Sequence, residues 1–235
     1  MDLTLPIRAV EPASARARIL RLALEGRSFP YRAGQGAWLG RPGQPDRRPY
    51  SLASAPHETA GHDALDFLVS VDDDGTPGPP IGELRAGLPI AVDGPLGTFV
   101  LPAVVHERHL LFVAGGTGIA PLRALMLEAL QRHPALDVRL LYTARTSEDF
   151  AFEPELRTLA RQGRIRLHQT VTRDPRPAWT GARGRVNRAQ LEAVLASRET
   201  LCFVCGPHGL VEDVPRLLGE LEVAPERIRI EEWAG

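Results

Sequence analysis

The rhythm of apolar positions changes near residue 105. Before it, short aliphatic runs at 18–24, 37–39, 65–71 and 89–92 are separated by clusters such as Gly34-Gln35-Gly36, Arg41-Pro42-Gly43 and Gly75-Thr76-Pro77-Gly78-Pro79-Pro80. Brief runs broken by turn residues read as antiparallel strands, which predicts a small antiparallel β-barrel over 1–104. After it, apolar runs at 110–114, 138–143, 165–171, 201–204 and 228–230 alternate with helical periodicity. Leu122, Leu125, Met126, Ala129 and Leu130 recur at the spacing of one buried helix face. A second helical stretch runs from about 154 to a C-cap at Gly163. A third opens at Asn187 with Gln190 three residues on, a capping-box pattern. Such strand–helix alternation predicts an α/β domain over 105–235, with a parallel sheet and helices on its faces.

Composition narrows the functions open to such a chain. A length of 235 residues suits one large domain or two modest ones at roughly 150 residues each. Apolar residues make up 43% and charged residues 24%, an ordinary globular balance. A net charge of -1 provides no basic field for nucleic acid. The most apolar stretch, 110–130, carries Arg123 and Glu128 and is broken by Gly115, Gly116, Gly118 and Pro121, so no membrane span is expected. Residues 1–18 lack the apolar core of a signal peptide. All 28 basic residues are arginine, which excludes pyridoxal, Walker A and kinase chemistry, each of which needs a lysine. Two cysteines, Cys202 and Cys205, cannot supply the four thiolates of an iron–sulfur cluster, and a reducing cytoplasm fits them.

The segment Gly115-Gly116-Thr117-Gly118-Ile119-Ala120-Pro121 follows a buried-strand pattern and precedes the amphipathic helix. Glycines there would let backbone amides approach a pyrophosphate at the positive end of the helix, and Pro121 is tolerated in the first turn. The bland alternative is a tight strand-to-helix turn without a ligand. Arg48-Pro49-Tyr50-Ser51, taken alone, reads as a plain surface strand. Cys202 and Cys205 lie three apart on a strand and should face opposite sides, which argues against a shared metal. The segment from His57 to His62 misses the His-Glu-x-x-His zinc pattern by one position and reads as a solvated turn, because Pro56 and Gly61 argue against a helix. Asp72-Asp73-Asp74-Gly75 lacks calcium ligands at the first and twelfth loop places. No metal site is expected.

Read together, Gly34-Gln35, Arg48-Pro49-Tyr50-Ser51, Gly94-Pro95-Leu96-Gly97-Thr98-Phe99, the 115–121 turn, Cys205-Gly206-Pro207 and a terminal Glu231-Glu232-Trp233 occur in an order that resembles the ferredoxin–NADP reductase family of flavoproteins. The resemblance implies a flavin-binding barrel (1–104) followed by a pyridine-nucleotide domain (105–235). It places Arg48 on the flavin phosphates, Tyr50 against the isoalloxazine, Ser51 near flavin N5 and Leu52 beside them. Thr117, with Gly115, Gly116, Gly118 and Pro121 around it, would lie near the nicotinamide, as would Cys205, flanked by Gly206 and Pro207. Glu232 and Trp233 would form the terminal carboxylate and aromatic of the catalytic set. Arg173 and Arg185 match positions that hold the 2′-phosphate, with Arg145 a further cofactor-binding candidate, which slightly favours NADPH over NADH; the bland alternative for all three is a surface charge.

One departure concerns the segment that usually carries Gly-x-x-Ser before a short helix holding the flavin pyrophosphate. Aligning Ile81, Leu84 and Gly87 with that helix places Gly75 and Gly78 in the motif, without the serine and with Pro79 and Pro80 lacking N–H donors. Loosely held FAD is expected, with FMN, which has no pyrophosphate to anchor, as the less favoured alternative. The implied activity takes hydride from NAD(P)H onto FAD and passes electrons to a separate acceptor, an iron–sulfur protein such as a ferredoxin or an oxygenase component. A regulatory or electron-transfer subunit without hydride chemistry and a free-flavin reductase are the alternatives.

Overall fold

The structure, a computed structural model, describes residues 1–72 and 81–232. The first half holds β1 (Asp2–Ser14), β2 (Ala17–Ala23), β3 (Gly36–Gly40), β4 (Arg47–Ser51), α1 (Pro56–His62), β5 (Ala64–Ser70) and β6 (Pro89–Leu96). They form one antiparallel sheet in the order β4-β3-β6-β1-β2-β5. Its ends are drawn together by an isolated bridge, Leu52 to Phe67, so the sheet curls around Leu5, Leu20, Leu22, Leu39, Leu65, Phe67 and Val92.

Strand β1 carries Pro6 and Pro12, which argue against a central strand, yet it lies inside the sheet. It changes partner midway. Asp2 to Pro6 pair with β6, and Ile7 to Ser14 pair with β2. Apart from Ile7 at the changeover, which also bonds Gly87 and Leu88, each half is paired on one side, so a proline can turn its missing donor to the free side.

Helix α1 corrects the expected turn at 57–62. Pro56 stands at its first position, where a proline costs nothing. Glu58 accepts a hydrogen bond from the Ala55 N–H at 2.8 Å, and Thr59 is buried. His57 and His62 are exposed. Residues 81–88 form turns and no helix, against the short helix expected there. Gly82 and Gly87 have φ of +69° and +85°, which a right-handed helix cannot contain. The Gly75/Gly78 motif lies outside the described residues.

The second half holds β7 (His109–Gly115), α2 (Ile119–Arg132), β8 (Asp137–Ala144), α3 (Glu153–Arg161), β9 (Arg166–Val171), β10 (Ala182–Arg183), α4 (Arg188–Val194), β11 (Leu201–Gly206), α5 (His208–Glu220) and β12 (Ile228–Glu232). Its sheet is parallel throughout, in the order β10-β9-β8-β7-β11-β12. The stripe from Leu122 to Leu130 is buried as expected. Asn187 caps α4 by accepting from the Gln190 amide at 3.0 Å, and Gln190 accepts in return from Asn187. Helix α5 is not among the expected elements: Pro215 lies inside it, although Val211, Val214, Leu217 and Leu218 keep the spacing of one buried helix face.

The two halves share one core. Ala33, Ala53, Phe99 and Leu101 pack with Leu122, Leu125 and Phe203, and Phe99 meets Phe203 edge-on at 5.6 Å. Gly34 sits at this joint with φ +91°, where an added Cβ would strike the Phe99 carbonyl and touch Leu125. Among the described residues no helix is long and apolar enough to cross a membrane.

Candidate active site

The order of the parallel sheet reverses between β7 and β11. Segments leaving the ends of these strands diverge, which opens a crevice beyond their carboxyl ends. Gly115 and Gly206 end the two strands. A Cβ on Gly206 would fall 3.0 Å from the Gly115 backbone, and a Cβ on either would meet Leu210 at 2.7 Å. Larger residues would therefore push the strand ends apart. From Gly115 the chain makes a single 3-10 turn, Gly116–Gly118, and enters α2. Gly118 abuts β11 so closely that a Cβ would lie 2.4 Å from the Cys205 carbonyl oxygen. Thr117 is exposed at the turn. The first amides of α2 lack intrahelical acceptors and carry the positive end of its dipole.

Two residues not singled out in the sequence shape this turn. The buried Tyr142 hydroxyl donates to the Gly116 carbonyl at 3.0 Å and accepts from the Ala151 N–H at 3.1 Å. Burial pushes its phenol well above the ordinary tyrosine range, so it stays a donor. Thr143, opposite Gly115 in register, has a buried hydroxyl with no hydrogen-bond partner among the described residues.

On the barrel side, β4 is an edge strand whose burial runs from exposed Arg48 to buried Ser51. Arg48 is exposed, and among the described residues its guanidinium makes no hydrogen bond or ion pair. Tyr50 is half-buried. Its phenol is raised by burial, and Arg48 partly opposes this. Ser51 is buried opposite Gly36, and Leu52 makes the isolated bridge to Phe67. Gln35 donates to the Gly97 carbonyl at 3.0 Å. The Glu231 carboxylate stands 3.5 Å from where a side chain on Gly97 would begin, and Glu231 lies opposite Cys205 in register. Ser51, Gly36, Gln35, Gly97, Glu231 and Cys205 thus follow one another from the barrel to the crevice.

A third group lies along the rim of the sheet. The Arg173 N–H donates to the Arg145 carbonyl at 2.8 Å, and the Gly184 N–H to the Val171 carbonyl at 2.9 Å. These bonds put Arg145, Arg173 and Arg185 beyond the ends of three adjacent strands. All three are exposed, and their guanidinium groups have no partner among the described residues. The loop that carries Arg173 is anchored by Asp174. Its buried carboxylate accepts from the Ser147 N–H and hydroxyl, both at 2.8 Å, and from the Arg176 fork. These bonds hold the carboxyl far below the usual range.

Residues 112–216 match the family model of the oxidoreductase NAD-binding domain. Over 238 aligned residues the chain is 33% identical to ferredoxin–NADP reductase B of Sorangium cellulosum, covering 96% of this chain and 95% of that relative. The chain belongs to the ferredoxin–NADP reductase family. It is an NAD(P)H-dependent flavin oxidoreductase. Other relatives are longer, and the chain spans 50% or less of their length. The fold superimposes on a cytochrome P450 reductase of Amycolatopsis with a TM-score of 0.86 at 29% identity, covering 99% of this chain and 69% of that one. A ferredoxin–NADP reductase of Neisseria gonorrhoeae, solved with bound FAD and NADP, superimposes at 0.81 with 21% identity over 98% of both chains. That second likeness speaks to the fold alone.

In this reductase the structure gathers Gly115, Gly116, Thr117, Gly118, Cys205, Gly206 and Pro207 at one strand-end crevice, with Pro121 inside the first turn of α2. Cys202 and Cys205 do face opposite sides of the sheet. Cys202 packs with Val204 and Val214, Cys205 with Phe203 and Ala114. Burial pushes the Cys202 thiol up to about 12, which keeps it protonated and inert. Cys205 has no exposed surface, so its thiol backs the crevice instead of lining it. Glu232 lies opposite Gly206 in register, on the strand face opposite that of Glu231. It pairs with exposed His208, at 2.6 Å, because neighbours on a strand point to opposite faces. Glu231 is the carboxylate turned toward Gly97. Trp233 lies outside the described residues.

Proposed function

We propose that residues 1–104 hold FAD and residues 105–235 hold the nicotinamide dinucleotide, and that the protein oxidises NADPH in preference to NADH and passes electrons to a separate iron–sulfur protein, a ferredoxin or an oxygenase component. The observation that carries this reading is the continuity between the halves: Gly97 at the end of the barrel lies against Glu231, beside the strand ends where a dinucleotide would enter.

The residues present fit both groups. Arg48 offers an unpaired guanidinium to a phosphate, a charge-assisted contact. Tyr50 offers a half-buried ring, and Ser51 a hydroxyl at the next position of β4. The glycine turn and the α2 amides suit a pyrophosphate, with the Thr143 hydroxyl available as a further contact. Arg173 and Arg185, with Arg145 behind them, present guanidinium forks that suit a 2′-phosphate dianion. Bound FAD would accept hydride and release electrons singly, chemistry that no side chain here can supply. The protein orients the two ligands and excludes water from their meeting place. The two cysteines face opposite sides of the sheet and cannot hold a cluster between them, which is in keeping with an iron–sulfur acceptor outside these residues. Their reduced state suits a cytoplasmic setting.

Anaerobic titration of the purified protein with NADPH and NADH tests this. Yellow protein that bleaches with both, at lower concentrations of NADPH, is the expected result. Colourless protein that binds no added FAD or FMN would overturn it in favour of a subunit without hydride chemistry.

A further inference from the structure

One arginine sits apart from the crevice and the rim. Arg123, one turn into α2, is 8% exposed. Its Nε donates to Glu155 at 2.6 Å, Nη2 to Glu155 at 2.7 Å and to Glu58 at 2.8 Å, and Nη1 to Glu58 at 3.0 Å and to the Ala53 carbonyl at 2.8 Å. Every N–H of the guanidinium has an acceptor. Its carbon also lies 4.9 Å from the centre of the Phe152 ring. Glu58 belongs to α1 in the barrel half, Glu155 to α3 in the nucleotide half, and Ala53 follows Ser51 by two residues. The barrel side of this tie is braced in turn. Glu58 accepts from Ala55 N–H, and the Tyr31 hydroxyl bonds Ser54 and Thr59.

Apolar packing alone would hold α2 against the barrel, but it resists sliding weakly, because it is non-directional. A buried guanidinium with two carboxylates tolerates little displacement, since any shift leaves a charge without its partner in a dry place. We propose that Arg123 is a positioning residue. It ties the helix that begins at the nucleotide turn to the backbone just beyond Ser51, and so sets the spacing at which hydride passes. This rests on the functional reading above, and it assigns the control of that spacing to a residue that touches neither ligand.

The test uses Arg123→Lys, which keeps the charge but cannot form the two forks, and Glu155→Gln, which leaves the Glu58 pair in place if the first variant folds poorly. Bound flavin and nucleotide dissociation constant are expected to stay within about twofold of wild type, while flavin reduction at saturating NADPH slows about tenfold or more in rapid mixing. The long-wavelength charge-transfer absorbance between reduced flavin and NADP⁺ should weaken in parallel. Amide hydrogen exchange over 53–59 should quicken even in protein stripped of flavin. Wild-type rates with an unchanged charge-transfer band in both variants would overturn the inference, as would slowing that only tracks lost flavin or lost folded protein. A wild-type protein that does not bleach overturns the functional reading and this inference together. Bleaching that is equally fast in wild type and variants overturns this inference alone.

Discussion

The joint between the halves and the rim of the parallel sheet use the same side chain in opposite ways. At the joint, each donor of Arg123 has an acceptor inside the protein. At the rim, Arg145, Arg173 and Arg185 stand in solvent with no acceptor among the described residues, and the loop that carries Arg173 is anchored by Asp174 and Arg176. A guanidinium satisfied internally fixes the relative placement of elements. One held in place but unsatisfied is available to a polyanion. Arg48 on the barrel edge belongs with the rim in this respect, so two of the three proposed phosphate sites rest on exposed arginines and the third on backbone amides.

The contrast can be broken first at the joint. Arg123→Met should cost about 3 kcal/mol or more, because Glu58 and Glu155 are left facing each other without their cation. Urea unfolding would show this as a lowered midpoint with an unchanged slope, and a change within error would mean that the carboxylates find other partners. The rim should respond differently. Arg48→Ala should leave the unfolding midpoint nearly unchanged while flavin affinity falls about 10- to 100-fold, the weight of one charged hydrogen-bond pair. Flavin retained through gel filtration at low concentration would contradict it. Arg173→Ala should weaken NADPH about tenfold more than NADH, measured as the ratio of their dissociation constants. Equal losses would make Arg173 a structural charge.

The smallest effect concerns His208, whose pKa is raised above the usual histidine value first by its hydrogen bond to Glu232 and then by the nearby Glu212 and Glu232 charges. Its contribution to stability is present below the unfolded histidine pKa and fades as pH rises through the raised folded value. Both groups are exposed, so the sign is clear but the effect on unfolding will be slight. Titration of His208 by NMR in wild type and Glu232→Gln would show the pKa returning toward its ordinary value.

The site divides into parts that were readable along the chain and parts that were not. The glycine turn from Gly115 to Gly118, the α2 stripe and the Asn187 cap depend on residues a few positions apart, so periodicity and local chemistry revealed them. The proline-bearing β1 was missed because its partner changes midway, and that change depends on strands distant in sequence. Between Glu231 and Glu232, composition offers no choice. The register of β12 beside β11 turns the first toward Gly97 and the second toward His208. Arg123 looked like a charge that merely spoils an apolar stretch, and its acceptors lie 32, 65 and 70 residues away.

Sequence by itself thus determined the alternation of elements, the two-part architecture and the glycine turn that leads into α2, because these follow from steric and hydrogen-bonding preferences acting over a few residues. Only the tertiary structure decided which charges are neutralised internally and which remain free for a ligand. That depends on what the fold brings within 3 Å of each one, and chain separation carries no information about it.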